Sequence, residues 1–310
     1  MKYSPLFWPI ELKGNTIYIL DETLLPHKVR YIKARSYKEA VLAIKQMKTR
    51  AVGQVLLVMY TFLLEARKNK NRLKSRLPKI ALAFNTARPT LSFKFLTDMV
   101  LGWHAQGLPL ERAIPGFLEG LKNTRIKQAE EAAGLIKDGD SILTHCNISG
   151  LMPLIGEFCR RENKKVSFYV TETRPYFQGL RLTAWELRNS GFDVTVITDN
   201  MVAHVMHEGR VNKVIVGADN LAQNGDIANK VGTYQIAVTA KYFHIPFYVL
   251  CPPASHAKTG KDIKIEVRPD EEMLLIQGKW IAPKGAKGYY PAFDITPDKL
   301  ITKHIYFKLK

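Results

Sequence analysis

The chain has 310 residues, is 46% hydrophobic, and carries 46 Lys and Arg against 28 Asp and Glu, a net charge of +18. That length accommodates one large domain or two ordinary ones, with ample apolar content for a core. There is no run of about 18 or more apolar residues, which excludes a membrane-spanning helix, and three widely spaced cysteines form neither a disulfide framework nor a metal-ligand set.

The opening MKYSPLFWPIELKG lacks the apolar stretch and small-residue cleavage site of a secretion signal, so a reducing cytoplasm is expected. The basic excess suits a phosphorylated ligand or nucleic acid. Much of it falls in RKNKNRLKSRLPK, Arg67 to Lys79, with seven basic residues and no acid. A solvated helix end and loop is the favoured reading, and the absence of interleaved aromatics points away from nucleic acid.

In chain order, residues 16–20 read as a strand, followed by a turn around Pro26. Ser36 and Glu39 form a capping-box pattern that opens a helix. Residues 55–64 are apolar nearly all round and predict a buried helix. Between these helices stand Arg50, Ala51, Val52 and Gly53. TARPT at 86–90 places Pro89 in the first turn of a helix that runs on through Phe93, Leu96, Met99 and Val100. Residues 110–136 predict one long helix, or two with a break near Pro115, and Lys137-Asp138-Gly139-Asp140 stops it.

Beyond that stop the pattern changes. Strand-like runs at 142–145, 166–171, 194–198, 213–216 and 246–250 alternate with helical runs at 151–161, 179–189, 202–208 and 234–243. This series predicts an α/β fold: a mostly helical N-terminal domain with a short initial strand over 1–125, then a Rossmann-like doubly wound parallel sheet over 126–310. No G-x-G-x-x-G follows the first of these strands, so a dinucleotide is not expected.

Two strand ends carry reactive groups. The strand before His145 leads to Cys146 and Asn147; the strand ending at Gly217 leads to Asp219. Taken singly, a strand-end Cys is more often an inert small hydrophobe and a lone Asp a turn or helix cap. Two such groups at equivalent ends of parallel strands favour a shared site. Asn229, Lys230, Gly232 and Thr233 are expected to open the next helix, whose free N–H groups, with the Lys230 charge, suit a phosphate. His145 should face the other side of its strand from Cys146. Asp199 reads as a cap for the next helix, Arg174 equally as an ion-pair partner of Glu172 or as a site residue, and Cys159 and Cys251 as packing residues.

The segments THCN, TETRPYFQGLRLTAWEL, VGADNLAQNGDIANKVGTYQIAV, IPFYV and YYPAFDITP, with ILDETLLP near the start, closely resemble the methylthioribose-1-phosphate isomerase family. That family is related to ribose-1,5-bisphosphate isomerases and to regulatory subunits of the exchange factor for translation initiation factor two. The resemblance implies that Cys146 and Asp219 are the catalytic pair, that Gln178 contacts the sugar, and that Arg50 and Arg88 join Asn229 and Lys230 in binding substrate. It implies a homodimer, and neither cofactor nor metal ion is expected. The chain departs from the family after Arg50, where Ala51 and Val52 stand in place of Gly and Ala and a Pro is missing. A Cβ there can obstruct a close backbone approach to phosphate.

The implied reaction converts S-methyl-5-thioribose 1-phosphate to S-methyl-5-thioribulose 1-phosphate, an aldose–ketose isomerisation in methionine salvage. Ring opening requires an acid, and Asp219, kept protonated by apolar neighbours such as Val214, Ile215, Val216 and Leu221, is the expected one. Cys146 would move a proton between carbons as thiolate and thiol; a hydride shift is the rival. Two alternatives remain: another phosphorylated pentose, such as 5-deoxyribose 1-phosphate or ribose 1,5-bisphosphate, which the altered Arg50 loop favours, and a non-catalytic exchange-factor-like subunit, against which the retained Cys146 and Asp219 speak.

Overall fold

In the computed structural model the described residues are 3–69, 72–87, 93–276 and 278–308. The chain divides into two compact units, Met1–Thr124 and Arg125–Lys308.

In the first unit, β1 (Ile10–Lys13), β2 (Thr16–Leu20) and β3 (Tyr31–Ala34) form an antiparallel sheet in that order. Only β2 is legible in the sequence; β1 and β3 are short and mixed in polarity, and their pairing with β2 creates them. Ser36 caps α1 (Tyr37–Lys45), its hydroxyl accepting the Glu39 N–H, as the S-x-x-E pattern predicts. Helix α2 (Val52–Lys68) buries most of its circumference, in keeping with its apolar sequence. The basic run is not simply a helix end and loop, because α3 (Leu73–Asn85) takes up its second half. Its charge is partly tied down: Arg76 pairs with Glu65 at 2.8 Å and Lys68 donates to the Arg35 carbonyl. Helix α4 (Lys94–Ala105) follows, then α5 (Leu110–Ala133), one helix that contains Pro115 in its second turn without ending there and whose residues from Arg125 on belong to the second unit.

The second unit is built on β4 (Ser141–Thr144), α6 (Leu151–Arg161), β5 (Ser167–Thr171), a π-helical stretch Gly179–Thr183 leading into α7 (Ala184–Asn189), β6 (Asp193–Ile197), α8 (Val202–His207) and β7 (Lys213–Gly217). Two short strands follow, β8 (Asn220–Leu221) and β9 (Ile227–Lys230), then α9 (Thr233–Tyr242) and β10 (Phe247–Leu250). The remainder contains β11 (Val267–Arg268), α10 (Glu271–Leu274), β12 (Leu275–Ile276), β13 (Lys279–Trp280), β14 (Tyr290–Pro291), β15 (Phe293–Thr296) and β16 (Lys303–Ile305).

The main sheet has six strands in the order β16-β10-β7-β4-β5-β6, all parallel. Fully buried runs such as VIV in β7 explain why it is parallel: only a sheet covered on both faces buries every residue of a strand. The chain winds outward from β4 through β5 to β6, then returns to β7 on the other side of β4. The boundary between β4 and β7 is thus the topological switch point, where open α/β sheets form their ligand crevice at the carboxyl ends of the strands.

Candidate active site at the switch point

Cys146 lies two residues beyond β4 and Asp219 two residues beyond β7, so the two flank the switch point on neighbouring strands. The turn after β4 crosses the end of β7 closely: a Cβ on Gly217 would stand 3.2 Å from the Ile148 side chain.

The turn that presents Cys146 is strained and well tethered. Cys146 has φ 63° and Ser149 φ 47°, in the left-handed region that non-glycine residues seldom occupy. The Cys146 N–H donates to Thr173 Oγ1 at 3.0 Å, and its carbonyl accepts the Thr183 hydroxyl at 2.6 Å. Asn147 donates to Thr183 at 3.0 Å and to Glu186 at 2.8 Å, while its Oδ1 accepts the Ser149 N–H. Cys146 is the half-buried thiol of the three; burial pushes Cys159 up to about 11 and Cys251 up to about 12, as packing residues should be.

His145 is buried and anchored on both sides. Its Nδ1 lies 2.6 Å from Thr171 Oγ1 and its Nε2 2.9 Å from the Val231 carbonyl. A carbonyl can only accept, so Nε2 carries the hydrogen. Burial holds the imidazole below its ordinary value, opposed by Asp199 and assisted by Lys230. It links the end of β4 to the turn before α9 and is not presented as a base.

The loop after β5 also departs from expectation. Asp199 does not cap α8; its carboxylate accepts the N–H groups of Thr173 at 2.8 Å and Arg174 at 2.7 Å and so fixes that loop. Arg174 donates to the Met273 carbonyl at 2.8 Å, and its charge pulls the Glu172 carboxyl down against the upward push of burial. Gln178 is 4% exposed, and its Oε1 has no hydrogen-bond partner among the described residues. Gly179 must be glycine, since a Cβ there would fall 1.8 Å from the Thr171 carbonyl oxygen.

Asn229 and Lys230 do not open a helix. They end β9, which pairs with β15 through Lys230↔Phe293 and Asn229↔Asp294, and the helix begins only at Thr233 after Gly232. An anion does sit at that helix N-terminus, but it is Asp294: its carboxylate accepts the Gly232 N–H at 2.7 Å and the Tyr234 N–H at 3.1 Å. Asn229 donates to Thr233 Oγ1, and the buried Lys230 ammonium donates to the Ala292 carbonyl at 2.9 Å and to Tyr290 Oη at 3.2 Å. Tyr290, close to Cys146, Lys230 and Tyr176, carries no sequence signal beyond its place in YYPAFDITP.

Asp219 is anchored through its backbone, its N–H donating to the Ala228 carbonyl at 2.9 Å. Its side chain is exposed, which corrects the expected apolar enclosure. Val214, Val216 and Leu221 instead belong to the core beneath, and Ile215 is likewise fully buried.

Arg50 lies in the first unit. Its N–H donates to Glu22 Oε1 at 3.0 Å, and its Nε lies 3.4 Å from Glu22 Oε2. Burial pushes the Glu22 carboxyl up, against the pull of Arg50. Ala51, with φ 44° and ψ −121°, occupies the first central position of a tight turn closed by Gly53 N–H to the Arg50 carbonyl at 2.9 Å. That conformation is the glycine position of a type II′ turn. Arg88 falls outside the described residues. Among the described residues no group of three or more His, Cys, Asp or Glu could hold a metal ion, and no helix is long and apolar enough to cross a membrane.

Six parallel strands in this order define a doubly wound α/β protein with its topological switch point between β4 and β7. The chain belongs to the Initiation factor 2 subunit family, whose model matches residues 46–306. It is 38% identical over 319 residues to the methylthioribose-1-phosphate isomerase of Thermosipho africanus, covering 94% of this chain and 91% of that one. Among solved structures it is similar to 5-methylthioribose 1-phosphate isomerase from Pyrococcus horikoshii, with TM-score 0.86 and 31% identity over 96% of this chain and 90% of that one. It is also similar to the translation initiation factor eIF-2B subunit delta from A. fulgidus, with TM-score 0.85 and 35% identity over 96% and 94%.

Proposed function

We propose that the chain is an aldose–ketose isomerase that converts S-methyl-5-thioribose 1-phosphate to S-methyl-5-thioribulose 1-phosphate in methionine salvage. The observation that carries this reading is the placement of Cys146 and Asp219 on the two strands that flank the switch point. The isomerase names borne by relatives that span most of the chain support it.

A 1-phosphate locks the sugar as a ring with no free aldehyde. Asp219 gives a proton to the ring oxygen and the C1–O bond breaks. Cys146, as thiolate, takes the proton from C2, and that electron pair forms the C1=C2 bond. The thiol then returns the proton to C1, while the C2 hydroxyl becomes the ketone and its proton restores Asp219. Every proton and electron pair is accounted for within substrate and pair. The exposed Asp219 carboxyl is accessible to substrate.

Gln178, with its unpartnered buried acceptor, is assigned to a sugar hydroxyl. Lys230 and Asn229 are assigned to the phosphate from the end of β9, and Arg50 and Arg88 are assigned to substrate binding on the family resemblance alone. The functional division follows 1–125 and 126–310, and a cytoplasmic homodimer is the proposed state.

A panel of sugar 1-phosphates tests this reading. A hydrophobic pocket separates a methylthio group from a methyl or hydroxyl by only about 1–3 kcal/mol. Turnover of both methylthioribose 1-phosphate and 5-deoxyribose 1-phosphate is expected, with the first preferred. A strong preference for ribose 1,5-bisphosphate, or no turnover of any member, contradicts it; the latter outcome would favour the exchange-factor-type role suggested by the A. fulgidus match.

A further inference from the structure

Tyr290 is 1% exposed, and its ring packs edge-on against Tyr176 with centroids 6.0 Å apart. Its oxygen accepts an N–H from the buried Lys230 ammonium at 3.2 Å. The phenol hydrogen is therefore left to donate, and among the described residues it meets no acceptor. Its neighbour Tyr176 differs, because that hydroxyl is committed to Glu272 through a short hydrogen bond. A buried donor without an acceptor destabilises the protein, and a ligand oxygen would remove that cost. Burial, with the charges of Tyr176, Glu272 and Cys146 adding to it, pushes the phenol up, so it stays a neutral donor at working pH.

A complementary group lies close in the chain. Gln178, two residues beyond Tyr176, is 4% exposed and presents a buried acceptor with no donor. One unfulfilled donor and one unfulfilled acceptor, in the unit that carries Cys146, match a sugar carbon whose oxygen changes between hydroxyl and carbonyl. We propose that Tyr290 is a further catalytic residue whose O–H, polarised by Lys230, donates to the substrate oxygen on C2, where negative charge collects as that hydroxyl is deprotonated. The proposal rests on the isomerase reading and adds to it the group that stabilises the enediol-like intermediate.

Tyr290→Phe removes one oxygen and keeps the packing. Steady-state turnover of methylthioribose 1-phosphate and competitive inhibition by inorganic phosphate are measured on the full chain, beside wild type. A fall in kcat of about tenfold or more, with KM and the phosphate inhibition constant unchanged within about threefold, is the expected result. A smaller fall in kcat overturns the proposal and leaves the isomerase reading intact. So does a weakened phosphate inhibition that accounts for the whole loss, because Tyr290 would then only support Lys230. A wild-type protein that turns over no sugar phosphate overturns both.

Discussion

The carboxylate of Asp294 accepts the N–H of Gly232 at 2.7 Å, and this contact fixes where α9 begins. It joins β15 to the turn that follows Lys230, a turn also held by His145 through the Val231 carbonyl. Two titratable groups, the buried His145 and the half-buried Asp294, thus grip one short piece of backbone, and desolvation shifts both toward their neutral forms.

Their signs are opposite. Burial raises the Asp294 carboxyl from 3.8 to about 6. A carboxyl raised on folding contributes stability that is fully present below 3.8 and is lost as pH rises through about 6. The His145 imidazole is lowered, so its contribution is present above its unfolded value of 6.5 and lost as pH falls below that. Asp294→Asn isolates the first effect. The stability of wild type minus that of the variant, measured by urea unfolding, is expected to fall by about 2 kcal/mol between pH 4 and pH 7. A flat difference would show that Asp294 titrates as an ordinary carboxyl.

Ala51 holds a backbone conformation suited to glycine, with φ 44° and ψ −121°. A non-glycine residue there costs about 1–3 kcal/mol. Glycine removes that strain and loses about 0.5–1 kcal/mol to unfolded-state entropy. Ala51 is also exposed, so no packing is forfeited. Ala51→Gly is expected to stabilise the protein by about 1 kcal/mol in urea unfolding. A destabilised variant would mean that the turn is not under strain.

Much of the second unit was legible because its elements follow local pattern. The apolar runs of β4, β7 and β10 and the amphipathic helices between them need no tertiary information to be recognised. β9 was not legible: Ile-Ala-Asn-Lys has no strand pattern, and its four buried residues are created by pairing with β15, more than sixty residues later in sequence. The misplaced start of α9 has the same origin, since its capping carboxylate, Asp294, comes from that distant strand. Strand ends marked Cys146 and Asp219, but no local rule told whether Asp219 would be enclosed. Nor did any local pattern mark Tyr290, whose position rests on Lys230 and Tyr176.

The central claim is that Cys146 and Asp219 act together on one substrate. The most direct test is kcat/KM for methylthioribose 1-phosphate with Cys146→Ser, Asp219→Asn and the double variant, each shown to be folded by its thermal unfolding profile. A hydroxyl cannot replace a thiolate at neutral pH, and an amide cannot give up the proton that ring opening requires. Each single variant is expected to lose about a hundredfold or more, and the double variant little beyond the worse single one, because groups that act as a unit are not additive. Near wild-type turnover by either single variant would contradict the pairing and reduce that residue to a structural role at its strand end.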